Sequence, residues 1–324
     1  MEGGGAVRPT TGPTRPRGVH KIALAALFTV GSTLLRFPWS GEGTAVVFCL
    51  SAAGALLAVA VLYPLALFLW RRPLRGHPWR TAAAAVSGTA VGAAALFCAA
   101  RSADDLLRFF NFALLPPGAA IPFSALFLFA AVLLARTPRR GVDLFALIAC
   151  FAALAAVAVL FLRAIPQFRG EYGRVALPPA GSVGAGAVPL LFETALPMFP
   201  LAAWFALAVP RRSKKGNARP LLFGVGLGYG ILFLCVAQTI LTFGAPFAAT
   251  VNYPYAQAVR VVSVGQYAFR PEILSYLLDH SASLCRVALC LDCLRRLSGR
   301  FLPRCARLVL PVAGIALFAF LWLK

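Results

Sequence analysis

LFTVGSTLLRFPW, residues 27–39, is the stretch on which the fold turns. It begins and ends as membrane sequence, yet Gly31, Ser32 and Thr33 stand at its middle and Arg36 just before its exit. A continuous helix satisfies every backbone group internally and is the least costly way through hydrocarbon. Flexible and polar residues at that depth therefore predict a helix that gives way partway across. The released N–H and C=O groups then need protein or a water-filled cavity beside them.

Around this stretch the chain is a series of apolar runs, each near the ~20 residues that cross ~30 Å of hydrocarbon. They fall at 22–39, 44–70, 81–100, 119–135, 142–162, 184–209, 221–243, 273–294 and 306–323. Together they predict an all-α polytopic transmembrane bundle of about nine spans, in keeping with 60% hydrophobic residues and a mean hydropathy of +0.81. Residues 1–20, rich in Gly, Pro, Thr and Arg, bury too little apolar surface to fold and read as a disordered basic cytoplasmic tail. They are not a signal peptide, because the run that follows is long, internally polar and without a small-x-small cleavage site. Residues 21–324 are then a single transmembrane domain.

A net charge of +21 would suggest nucleic acid in a soluble protein, so the position of the charges decides. Basic residues crowd alternate loops: Arg8 to Lys21, Arg71 to Arg80, Arg136 to Arg140, Arg211 to Arg219 and Arg295 to Arg307. The loops between hold fewer in total: Arg101 and Arg108, then Arg163, Arg169 and Arg174, then Arg260 and Arg270. This is the positive-inside pattern, which sets the amino terminus and the RRSKK loop (211–215) in the cytoplasm and leaves no role for nucleic acid. Eight cysteines are scattered through the spans. The Cys290-x-x-Cys293 pair has no second pair to complete a metal site, and the thiols read as small reduced hydrophobes. No metal, cofactor or catalytic arrangement is expected.

Two spans are built for close helix contact. AAAAVSGTAVGAAA (82–95) is almost all small residues, and FGVGLGYG (223–230) repeats glycine at 224, 226, 228 and 230. In lipid such surfaces supply much of the drive for helix association. A phosphate-cradling loop is excluded, since no strand precedes the glycines and no lysine follows them. AIPFSALFLFAAVLLA (120–135) is uniformly large and apolar and is expected to face lipid.

The sixth span, AVPLLFETALPMFPLAAWFALAV (187–209), is cut by Glu193, Thr194, Pro197 and Pro200 and cannot run as one straight helix. Spans one and six lie five apart. Matching interruptions in two halves point to a transporter-type inverted repeat with its site between the broken helices. Released amides attract an anionic group and released carbonyls a cation, a combination that suits an amino acid. Charges at this depth are functional by default: Glu193, Asp279 and Arg286. Asp279 and Arg286 lie two turns apart on one helix face with Ser283 between them, and Arg286 is expected to be neutralised by Glu193 or Asp279.

The outer segment TVNYPYAQAVRVVSVGQYAFRPE (250–272) resembles the signature loop of the B subunit of GerA-type spore germinant receptors, the endospore germination permease family. The motif falls on Tyr253, Pro254, Arg260, Gly265 and Arg270. VGSTLLRFP (30–38), RSADDLLRFFNFALLPP (101–117), FETALPMFP (192–200) and RRSKK resemble the family's other segments in order, so the similarity runs from about residue 24 to 323. Gln266 stands where that family usually has an acidic residue, and the chain ends after the ninth span, where the family has a tenth. The resemblance implies the amino acid-polyamine-organocation superfamily and a five-plus-five inverted repeat lacking its last helix. It implies a multi-pass subunit of the spore inner membrane or cell membrane that binds a small germinant, often an amino acid. Such a subunit triggers germination with A- and C-type subunits. Carried over by position, ligand contacts fall on Thr29, Gly31, Ser32 and Thr33 of the first span and on Phe192, Glu193 and Thr194 of the sixth. Ser87, Thr89, Tyr276 and Ser283 would add to them. The alternatives are a proton- or sodium-coupled amino acid transporter of the same fold and a membrane scaffold without a ligand.

Overall fold

A computed structural model describes residues 18–31, 33–35, 37, 44–71, 78–116, 119–175, 194–208, 217–263, 272–301 and 306–323. Among them the chain is helical throughout, with no strand. The helices are α1 (Val19–Val30), α2 (Thr44–Arg71), α3 (Pro78–Ala113), α4 (Ala120–Arg136), α5 (Arg139–Ala164) and α6 (Gly170–Val175). They continue with α7 (Met198–Leu207), α8 (Ala218–Phe243), α9 (Ala245–Ala248), α10 (Pro254–Ser263), α11 (Glu272–Phe301) and α12 (Ala306–Trp322). By length and composition α2, α3, α5 and α8 can cross a membrane, and α1, α4, α7 and α12 are shorter apolar helices.

α1 is wholly buried from Ala23 onward and is the axis of the bundle. α8 runs parallel to it, and glycine sets their spacing. A Cβ on Gly224 would lie 2.5 Å from that of Ala25, and one on Gly228 would lie 2.7 Å from Thr29 Cβ. Gly226 and Gly230, on the other side of α8, meet nothing within 4 Å. Only alternate glycines of the repeat therefore serve the helix contact. The small face of α3 packs in the same way against α11, with Gly88 on Phe301 and Gly92 on Leu294, so α3 and α11 run antiparallel. α5 closes the far side of α1 and α11, and α2 packs on α7 and α8.

Large apolar side chains point outward from these helices, among them Leu57, Val61 and Phe68 of α2 and Leu126, Phe129 and Leu133 of α4. They make a lipid-facing surface, as the composition of the fourth span predicts. α3 departs from the sequence reading. The expected span stops at residue 100, yet the helix continues through the charged segment to Ala113. Asp104 and Arg108 pair across one turn at 3.1 Å, which supports the helix beyond the apolar run. The sixth span lies outside the described residues up to 193. Its remainder begins as a short helical turn at Thr194 and becomes α7 only after Pro197.

Candidate functional site

The first helix ends where the Gly-Ser-Thr run predicts. α1 has 12 residues, about 18 Å of helix against ~30 Å of hydrocarbon. The helix is closed by Gly31 N–H donating to the Leu27 carbonyl at 2.9 Å. Glycine is required there because a Cβ would sit 2.5 Å from the Ala282 carbonyl oxygen of α11. The backbone turns through 33–35, and Leu34 and Phe37 are buried again.

The carbonyls released by this break find partners within the chain. The Thr33 hydroxyl donates to the Thr29 carbonyl at 2.7 Å, and the Thr33 amide donates to the Val30 carbonyl at 3.1 Å. Arg286 of α11, 5% exposed, donates from its guanidinium to the Gly31 carbonyl. The same guanidinium lies 5.2 Å from the centre of the Phe28 ring, with the Cys98 thiol of α3 beside it. A fixed cation thus caps the negative end of α1, where a half-helix carries its partial negative charge.

This arrangement alters the expected roles of several residues. The Thr29 hydroxyl is spent on the Ala25 carbonyl at 2.8 Å, and its methyl side packs on Gly228. Of the two carboxylates expected to face Arg286, Asp279 makes no ion pair among the described residues. Seven residues of helix separate the two side chains by about 10 Å along α11. Glu193, with Ser32 and Phe192, lies outside the described residues, as do Gly265 and Arg270. Thr194 is half-buried just before α7. Ser283 is fully buried on the α11 face next to the break, with a hydroxyl that has no hydrogen-bond partner.

Ser87 and Thr89 are elsewhere. Ser87 accepts from Trp70 Nε1 at 3.2 Å and joins α2 to α3, and Thr89 is exposed and bonded to its own helix. Their neighbour Gly88 meets Phe301, fifteen residues or roughly 22 Å of helix from Arg286. Tyr276 belongs to an aromatic group near the Ala113 end of α3 instead. Its ring lies 5.4 Å from that of Phe109, and Phe109 lies 5.1 Å from Tyr253. Tyr253 holds a left-handed backbone (φ 53°) that turns the chain into α10 at Pro254. From α10, Arg260 donates to Tyr276 Oη at 2.9 Å and to the Ala113 carbonyl at 3.2 Å. The motif loop is in this way tied to the Ala113 end of α3 and the first turns of α11. His280 sits among Phe110, Phe123 and Phe127.

Residues that the sequence reading passed over complete the picture. Gln238 of α8 and Tyr255 of α10 are 0% and 3% exposed; the Gln238 amide has no hydrogen-bond partner among the described residues, and the Tyr255 hydroxyl meets the Cys235 thiol. The signal for Gln238 was a lone amide in an apolar span. Asp292 is a further buried charge, accepting from Trp204 Nε1 at 2.7 Å and pairing with Arg295 and Arg296. Beside Tyr253 a cavity of about 440 Å³ opens between Leu35, Asp105, Arg108 and residues 251–254.

No protein-family model matches the sequence, and no curated protein matches it. Among solved structures, the chain is similar to a Na+-coupled sialic acid symporter in its substrate-bound, outward-open state. The TM-score is 0.65 at 12% identity, over 94% of this chain and 73% of that one. The chain therefore has a transporter-like membrane fold.

Proposed function

We propose that the chain is the membrane subunit of a spore germinant receptor resembling the GerA-type B subunit, which holds a small polar germinant beside the broken first helix. The observation that carries this reading is the end of α1 at Gly31, 12 residues into its span, with Arg286 on the carbonyl it exposes. A membrane helix gives up regular pairing at depth only where something nearby makes use of the opening. The Tyr253–Arg260 loop supports the receptor class, since it braces α3 and α11 over the outer end of the bundle. Thr29 and Thr33 are engaged within α1, so the germinant is held on the outward side of Gly31. Ser283 and the interrupted sixth span, with Glu193 and Thr194, provide its contacts.

The second reading, a coupled amino acid transporter, is favoured by the likeness to a symporter. Two measurements separate them. Thermal stabilisation of the purified chain across an amino acid panel identifies a ligand by mass action. Uptake of that labelled ligand by vesicles holding this chain alone marks a transporter. A receptor subunit takes up none, and responds by ion release only when reconstituted with A- and C-type subunits in the spore inner membrane arrangement. A panel without any stabilising compound would overturn both readings and leave the scaffold.

A further inference from the structure

Beyond the break, buried polar groups without partners collect around one carboxylate. α1 ends level with Gly228 of α8, through the Thr29 contact, and with Arg286 of α11. Seven residues outward on each of these neighbours stand Cys235 and Asp279, roughly 10 Å past the end of α1. Asp279 lies within electrostatic reach of both the Cys235 thiol and the Tyr255 phenol of α10, which packs over α8 and α11.

Asp279 is 2% exposed, with no hydrogen bond or ion pair among the described residues. Ser283 follows it by one turn, and Gln238 follows Cys235 by one turn. Helical side chains lean toward the amino terminus of their own helix. Gln238 and Ser283, on oppositely directed helices, therefore lean toward the level of Asp279 from either side. Neither of them has a hydrogen-bond partner among the described residues, and the Tyr255 hydroxyl meets the Cys235 thiol, with its oxygen lone pairs still open to a cation.

A lone charge and several orphaned polar atoms at this depth are costly, so the cluster requires an occupant. A proton would neutralise Asp279 but leave the remaining oxygens unsatisfied. An organic ammonium has three N–H donors, all on one side of its nitrogen, and cannot face four oxygen-bearing side chains at once. A transition metal needs a richer ligand set, and no group of three or more His, Cys, Asp or Glu occurs among the described residues. A bare hard cation uses every oxygen at once in place of its hydration shell, and a single carboxylate balances a single positive charge. The other place that attracts a cation, the carbonyl end of α1, is already filled by Arg286.

We propose that Asp279, Ser283, Tyr255 and Gln238 form an oxygen-lined site for one alkali cation, outward of the broken helix. The test is a salt titration of the purified full chain, at fixed pH and ionic strength, with NaCl or KCl replacing N-methylglucamine chloride. The melting midpoint should rise saturably with one of the two cations. Asp279→Asn should abolish the rise, while Ser283→Ala and Gln238→Leu should shift its midpoint about tenfold or more to higher salt. An unchanged midpoint in the parent, or a full response in Asp279→Asn, overturns the site. If Asp279→Asn does not fold, the other two variants decide: wild-type titration curves in both would equally overturn it. No organic ligand is present in the titration, so it can fail while the germinant reading stands, and the reverse.

Discussion

The four glycines of FGVGLGYG provide an internally controlled perturbation of the axis of the bundle. A methyl group added at Gly224 would stand 2.5 Å from Ala25 Cβ and 2.6 Å from the Ile22 carbonyl oxygen. At Gly228 it would stand 2.7 Å from Thr29 Cβ and 2.8 Å from the Ala26 carbonyl oxygen. Ordinary contact begins near 3.4 Å, so either substitution forces α1 and α8 apart by about 0.7–0.9 Å. Part of each obstacle is backbone, which cannot swing away. Overpacking of this kind costs about 1–3 kcal/mol. Gly226 and Gly230 have open space, and alanine there gains up to ~1 kcal/mol from helix propensity. That gain is common to all four positions, so the two classes of alanine variant, made on one helix two residues apart, should differ by the overpacking cost of about 1–3 kcal/mol. Denaturant unfolding of the detergent-purified variants, followed by tryptophan fluorescence, measures the difference. Equal stabilities across the four variants would refute the placement of α1 against the Gly224–Gly228 face.

Other outcomes follow from single contacts. Arg286→Gln leaves the Gly31 carbonyl with a weaker donor and empties the position over Phe28, and should cost about 2 kcal/mol in the same unfolding assay; Arg286→Lys should recover part of it. Arg260→Ala unties α10 from Tyr276 and Ala113 and should cost about 1 kcal/mol, with faster amide exchange over 254–263 as the readout. Tyr276→Phe should show a smaller effect of the same kind. Asp292→Ala leaves the buried Trp204 indole N–H without its acceptor and should cost about 2 kcal/mol, whereas Asp292→Asn should retain most of that stability.

The bundle and its break were readable in the sequence because both are written in hydropathy. Apolar runs give the helices, and Gly31 in the middle of one marks where it stops. What closes the break was not readable. Two turns of spacing put Asp279 and Arg286 on one face, yet about 10 Å of helix lies between them. Among the described residues Arg286 donates to a backbone carbonyl, which no side-chain pattern announces, and Glu193 lies outside them. The resemblance puts ligand contacts on Thr29 and Thr33, but a threonine hydroxyl readily bonds to the carbonyl four residues back, and both do so. The outer half of α3 was hidden by its charges, although the spacing of Asp104 and Arg108 is a helical one. Gln238 escaped notice because one uncharged polar residue barely lowers the hydropathy of its span, while burial without a partner among the described residues makes it conspicuous in three dimensions. Ser87 was misplaced through distance: its helix belongs to the bundle, but its turn lies at the other end of α11.

The most direct test of the account is a cryo-electron microscopy map of the chain in a lipid nanodisc, at a resolution that traces residues 27–37. The account predicts helical density ending at Gly31, with the Arg286 guanidinium joined to its carbonyl. A regular helix running unbroken from Val19 through Phe37, with Arg286 turned elsewhere, would contradict it.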